Sequence, residues 1–286
     1  MQKKQDSRKA MLKFAAAMVI FGTIGIFRRF IPLSSSLLAC FRGIFGALFL
    51  SFIMFLSKKK QISLTPKAAV SFLLTGFAIG LNWMFLFEAY RYTDVGIATL
   101  CYYTQPVIVI LVSPLIFHEK LNFPKILCVI ASVCGMALIS SGGPSSADLT
   151  GIFYGLAAAV LYASVVILNK KAPPSDPYAK TLIQLFAAGF IMIPYILFKE
   201  GLPEISMNLS EWILTAFVCI VHTGFAYLLY FDSLPSLRTQ TIAFLGYIDP
   251  VSALFLSALI LHESLSLSSF SGAVLIILSA LFSELF

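Results

Sequence analysis

Ten apolar runs, each about as long as a membrane crossing, constrain this chain more than any other feature. They fall near residues 10–27, 34–56, 67–90, 94–117, 124–141, 150–169, 177–198, 209–232, 237–261 and 267–286. The hydrocarbon core of a bilayer is about 30 Å thick, so a helix needs roughly 20 mostly apolar residues to cross it. No water reaches that depth, so backbone groups must bond among themselves, which leaves helices or closed barrels. Barrel strands would alternate over about ten residues and turn more often. The connections here are short and leave almost no chain for a soluble domain. Of 286 residues, 59% are hydrophobic and only 12% charged, against about 25% charged in a soluble domain. The expectation is an all-α membrane protein with ten transmembrane helices.

The charges orient the chain. With a cytoplasmic N-terminus and alternating sides, the inner segments hold fifteen Lys and Arg residues, from Lys3, Lys4, Arg8, Lys9 and Lys13 through Lys120, Lys125, Lys170, Lys171 and Lys180 to Arg238. The outer segments hold Arg28, Arg29, Arg91 and Lys199, and Arg42 lies within a run. This excess follows the positive-inside rule and puts both termini in the cytoplasm. The net charge of +7 is therefore an orientation signal, and no nucleic-acid partner is expected. No A-x-A cleavage site follows the first run, whereas Arg28 and Arg29 do, so that run reads as a membrane helix rather than a removable signal. Cys40, Cys101, Cys128, Cys134 and Cys219 lie in or beside apolar runs without C-x-x-C spacing and read as small core hydrophobes.

The second half repeats the first. Residues 105–121 read QPVIVILVSPLIFHEKL and residues 249–265 read DPVSALFLSALILHESL. Pro106, Val107, His118, Glu119 and Leu121 recur as Pro250, Val251, His262, Glu263 and Leu265, at an offset of 144. Upstream the offset is 142: Ala15–Ala17 recur as Ala157–Ala159, Arg28-Arg29 as Lys170-Lys171, and Pro32 as Pro174. Each unit, 1–145 and 146–286, then holds five helices. An odd count forces the second copy to start on the opposite side, so the repeats are inverted. Inverted repeats mark secondary transporters, whose substrate site lies near the midplane between the copies.

Several residues together resemble the drug/metabolite transporter superfamily, in particular its ten-helix EamA-type members. They are Arg42 early in the second run, the segment Glu88-Ala-Tyr-Arg-Tyr-Thr-Asp-Val-Gly leading into the fourth, Pro106 and Pro250, and the run-end pair Glu119 and Glu263. The resemblance covers essentially the whole chain and specifies the fold better than the substrate. It implies a central cavity formed by helices 1, 3, 4, 6, 8 and 9. It also implies secondary transport of a small organic metabolite across a bacterial cytoplasmic membrane, with export and an amino acid or derivative favoured. Relatives move sugars, nucleotide sugars or organic cations. Many members carry Glu before the second Pro, whereas this chain has Asp249. The expected partners are a small-molecule substrate, the bilayer and protons, with the chain acting as monomer or homodimer and without a cofactor.

Ionisable and polar groups at membrane depth are costly, so those that persist face a cavity or a partner. Asp249, beside Pro250, is the sharpest candidate. A proline frees a carbonyl one turn earlier, and a carboxylate in low dielectric resists staying charged, so Asp249 is a candidate proton carrier. The alternative is a carboxylate that bonds a neighbouring helix. Gln105 holds the equivalent place in the first half. Tyr102, Tyr103 and Tyr247 flank these two, and Trp83 corresponds to Tyr227. Trp83 shares a helical face with Ile79, Asn82, Leu86 and Tyr90. Asp249, which would bind a proton or a substrate cation, Gln105, Trp83, Asn82, the tyrosines (Tyr162 among them) and His222 are candidate substrate-binding residues; a structural bond or core packing is the competing reading for each. Arg42 is expected to be structural, pairing Glu88 or a helix end. Glu88, Glu119, Glu263 and the two prolines are expected to shape structure or gates.

Enzyme chemistry finds no support: there is no HExxH, G-x-S-x-G, paired-Cys or phosphate-loop motif. A facilitative carrier for an organic cation or nucleotide-like metabolite, a channel and a non-transporting scaffold stay open as alternatives.

Overall fold

The protein is all-helical, as seen in a computed structural model that describes residues 2–28, 30–56, 64–93, 95–140, 148–201, 205–261 and 266–283. The first half holds α1 (Gln2–Arg28), α2 (Ser35–Leu56), α3 (Pro66–Tyr92), α4 (Val95–Tyr102), α5 (Gln105–Phe117) and α6 (Phe123–Ser140). The second holds α7 (Leu149–Lys171), α8 (Pro177–Lys199), α9 (Leu209–Phe217), a π-helical segment (Val218–Phe225), α10 (Ala226–Ser233), a 3-10 turn (Leu234–Ser236), α11 (Thr239–Gly246), α12 (Ile248–Leu261) and α13 (Leu267–Ser283). Among the described residues, seven helical stretches are long and apolar enough to cross a membrane: those starting at Asp6, Ser35, Pro66, Leu149, Pro177, Leu209 and Thr239. Three shorter apolar helices, Gln105–Phe117, Phe123–Leu138 and Phe270–Ser279, fill the remaining runs.

The surface is inverted relative to a soluble protein. Phe198 is 90% exposed, and Phe55, Leu115 and Leu149 also lie on the outside, while Thr75, Asn82, Gln184 and Thr223 are fully buried. Lipid is the solvent that makes this distribution favourable. Without a hydrophobic force between helices, packing relies on small residues that let backbones approach. α2 crosses α8 where a Cβ on Gly43 would meet the backbone of Gly189. Gly80 of α3 lies against the backbone of Ala188, and Gly224 of the π segment against that of Gly46. These are the same contact in the two halves, offset by 144 and 142. α6 pairs with α13, α1 packs on α10 and α12, and α7 packs on α3, α4 and α5.

The fourth and ninth runs are each broken in two. Tyr103 and Thr104 form a turn between α4 and α5, and Tyr247 separates α11 from α12. Pro106 and Pro250 therefore sit in the first turn of a new helix, where the missing N–H has no intrahelical partner to lose. The two breaks touch, with the Tyr247 hydroxyl donating to the Tyr103 carbonyl at 3.4 Å.

Candidate functional site

Between the halves lies a cavity of about 580 Å³. Its wall comes from α1 (Phe21, Gly22), α2 (Leu38, Arg42), α3 (Trp83, Leu86, Tyr90), α4 (Thr99, Tyr102), the first break (Tyr103), α7 (Tyr162), α10 (Tyr227) and α12 (Asp249, Ala253). α2 thus joins the runs implied by the family resemblance. The cavity extends to Arg28 and Ser35, where α1 ends and α2 begins, and to the half-exposed Tyr90; this end is the mouth.

At the other end the bundle is shut. Below Tyr102, Tyr103, Tyr162 and Asp249 the described residues enclose a void of about 20 Å³, floored by Phe14, Met18 and Tyr230. The Phe14 and Tyr230 rings lie 5.1 Å apart. Polar ties follow. The Glu119 carboxylate accepts from the backbone N–H of Thr239 (2.8 Å) and Gln240 (3.2 Å), so it caps α11. Lys170 lies 3.8 Å from that carboxylate and donates to the Leu237 carbonyl. Buried Lys125 donates to the Gln240 side chain at 2.6 Å, and Lys13 of α1 pairs with Asp232 of α10.

Asp249 opens α12, where the helix dipole favours an anion, and Tyr103 lines the same wall. A Cβ on Gly22 would lie 2.7 Å from the Asp249 carbonyl, so α1 passes directly over this turn. Across the cavity, the Arg42 guanidinium lies 5.1 Å from the Trp83 ring centroid and its Nε donates to Thr223 Oγ1 at 3.0 Å. Tyr227 lies edge-on to Trp83 at 6.2 Å and Tyr102 lies 5.9 Å from Tyr162. The result is an aromatic wall that carries the Arg42 guanidinium and the Asp249 carboxyl group, with Arg28 at the mouth.

Of the sequence candidates, the structure places Trp83, Tyr102, Tyr103, Tyr162, Tyr227 and Asp249 on the wall of one cavity. Four other candidates lie elsewhere. Asn82 points into the α3–α7 contact, where its Nδ2 donates to the Ala158 carbonyl at 2.7 Å. Gln105 lines only the small void, because α5 is held under α11 and away from the mouth. His222 faces α1, with Nε2 at 2.7 Å from Thr23 Oγ1 and its ring against Phe27 and Phe217. Tyr247 is buried at the break. The expected Arg42–Glu88 pair is absent, because Glu88 bonds Arg91 at 3.2 Å and Tyr195. Glu263 lies outside the described residues. Sequence reasoning missed Phe14, Met18 and Phe21, although their helical spacing in the first run was a usable signal. It also missed Thr223 and Gln240, which carry no pattern of their own.

The relatives agree with this architecture. The EamA-like transporter family matches residues 8–141 and again 149–285. The uncharacterized transporter YxxF of Bacillus subtilis is 35% identical over 88% of this chain and 82% of its own length. Protein PecM of Dickeya dadantii is 28% identical over 72% of this chain and 70% of its own. A solved crystal structure of a protein superposes with a TM-score of 0.82 at 15% identity, covering 96% of this chain and 97% of that one, which speaks for the fold. Two family matches in tandem, spanning nearly the whole of an all-helical membrane chain, place it: this chain belongs to the EamA-like transporter family.

Proposed function

We propose that the protein is a secondary carrier that moves a small organic metabolite, an amino acid or derivative favoured, by alternating access. In this reading the three shorter apolar helices also span the bilayer, giving ten crossings in two inverted repeats of five, 1–145 and 146–286. Both termini lie in the cytoplasm, the mouth faces outside, and the membrane is a bacterial inner membrane. The matched contacts Gly80–Ala188 and Gly224–Gly46, and the two helix breaks 144 residues apart, support the repeat. Transport runs outward, and Asp249 carries the proton that couples it.

One observation carries this reading: a cavity of about 580 Å³, open at one end and stitched shut at the other. Its size falls within the roughly 300–1,000 Å³ of small-molecule sites, and its one-sided access is what an alternating carrier needs at rest. A channel would require a continuous path, which Phe14, Tyr230 and the Glu119 ties interrupt. The aromatic wall also suits an organic cation, so a facilitative cation carrier is the second reading.

Counterflow in proteoliposomes tests the proposal. Radiolabelled amino acids should exchange saturably, a pH gradient should drive their accumulation, and Asp249→Asn should abolish that drive while exchange persists at weaker affinity. Exchange of cations alone would favour the second reading. Non-saturating flux would mean a channel, and no flux from folded protein would mean a scaffold. A pH drive unchanged in Asp249→Asn would remove the coupling role.

A further inference from the structure

Arg42 is a cation in the membrane with no carboxylate in bonding contact among the described residues; Asp249, on the same cavity wall, acts on it only through space. Of its five N–H donors, only Nε is engaged, by Thr223. Trp83 covers the guanidinium, and the side chain borders the cavity. A charge that persists at this depth, held in place with no anion in direct contact, is a group suited to receive one.

The hold on Arg42 depends on an unusual backbone. Thr223 lies in the π-helical segment Val218–Phe225, and its hydroxyl also donates to the carbonyl of Val218, five residues back, at 3.2 Å. π turns insert an extra residue and re-aim the side chains beside it. Gly46 lets the segment sit against α2: a Cβ there would lie 3.1 Å from Thr223 Cγ2. The same stretch in the first half, around Gly80, is ordinary α3. There the counterpart of Arg42 is Gln184, a neutral group that donates to the Asn169 side chain at 2.9 Å. The cation and the π turn that presents it therefore occur only in one of the two otherwise corresponding places.

We propose that Arg42 is the anion-recognition residue of the cavity, binding the carboxylate of the transported molecule, and that Thr223 is its positioning residue. The idea rests on the cavity being the substrate site. Arg presents a planar fork that matches a carboxylate bidentately, and Asp249 lines the same cavity. The substrate class is then a zwitterion, with its carboxylate at Arg42 and its ammonium toward Asp249.

The test is a ligand-induced thermal-shift and calorimetric screen of purified protein, using the twenty proteinogenic amino acids, their carboxamides and the matching decarboxylated amines. The expected ligands of the wild type are acids, whose carboxamides and amines bind at least tenfold more weakly. Arg42→Gln should abolish that preference, Arg42→Lys should retain part of it, and Thr223→Val should reduce it several-fold while leaving amine affinity unchanged. Each variant is compared with its own ligand-free melting point, so loss of fold is separated from loss of recognition. An acid that Arg42→Gln binds as tightly as the wild type overturns this proposal alone. A wild type that binds no amino acid overturns the underlying reading and this proposal with it.

Discussion

Lys170 and Arg28 hold corresponding positions in the two halves, yet they behave differently. Lys170, at the closed end, sits by Glu119 and bonds the backbone at Leu237, tying α7 to the start of α11. Arg28, at the mouth, bonds the Ile31 carbonyl three residues on, at 2.6 Å. The contrast extends to the neighbours. Polar ties at the mouth join α2 and α3 to α8, through Ser34 and Ser36 with Glu200 and through Glu88 with Tyr195. At the closed end they tie α1 to α10, and α6, α7 and the Glu119 turn to the start of α11. One sequence plan thus supplies a latched end and an unlatched end. The latch is the part that must open if the two ends are to exchange roles.

Substitutions can break that contrast, beginning with Glu119. Glu119→Ala strips α11 of its cap and Lys170 of its partner. Hydrogen bonds to charged groups are worth about 1.5–3 kcal/mol, so thermal unfolding in detergent should show a loss of that order; an unchanged melting point would mean that the latch carries no load. Lys125→Met comes next. It leaves the Gln240 oxygen without its buried donor, at a cost of about 1–3 kcal/mol, and proteolysis near α11 should quicken. Trp83→Ala acts at the mouth instead. Ligand affinity should fall while protease resistance of the closed end stays at the wild-type level; a loosened closed end would show that the two regions are not independent. Lys13→Ala should do least, because a half-exposed ion pair contributes about 0–1 kcal/mol. A large loss of stability there would move the latch from Glu119 to α1.

Much of this architecture was legible in the sequence. Apolar length located a helix in each of ten runs, and Pro250 beside Asp249 pointed to a disturbed backbone in the ninth. α1 began earlier than its apolar run, at Gln2 rather than residue 10, because Lys, Arg and Gln are good helix formers that hydropathy ignores. The site was legible only in part. Asp249 and Gln105 look equivalent in sequence, but only Asp249 reaches the main cavity, since α1 packs over α12 while α5 lies under α11. That inequality comes from tertiary packing, which a repeat pattern does not encode. The π turn behind Arg42 was equally hidden, because π-helical hydrogen bonding has no propensity signature separate from that of an α-helix.

Cysteine labelling at the inner end of the cavity tests one-sided access most directly. Tyr102→Cys, in a protein whose five native cysteines are replaced, is treated with a membrane-impermeant thiol reagent from either side of the membrane. Reaction is predicted from the outside only, with inside labelling appearing once Glu119→Ala is added. Equal labelling from both sides without that substitution, or no inside labelling with it, would contradict the account.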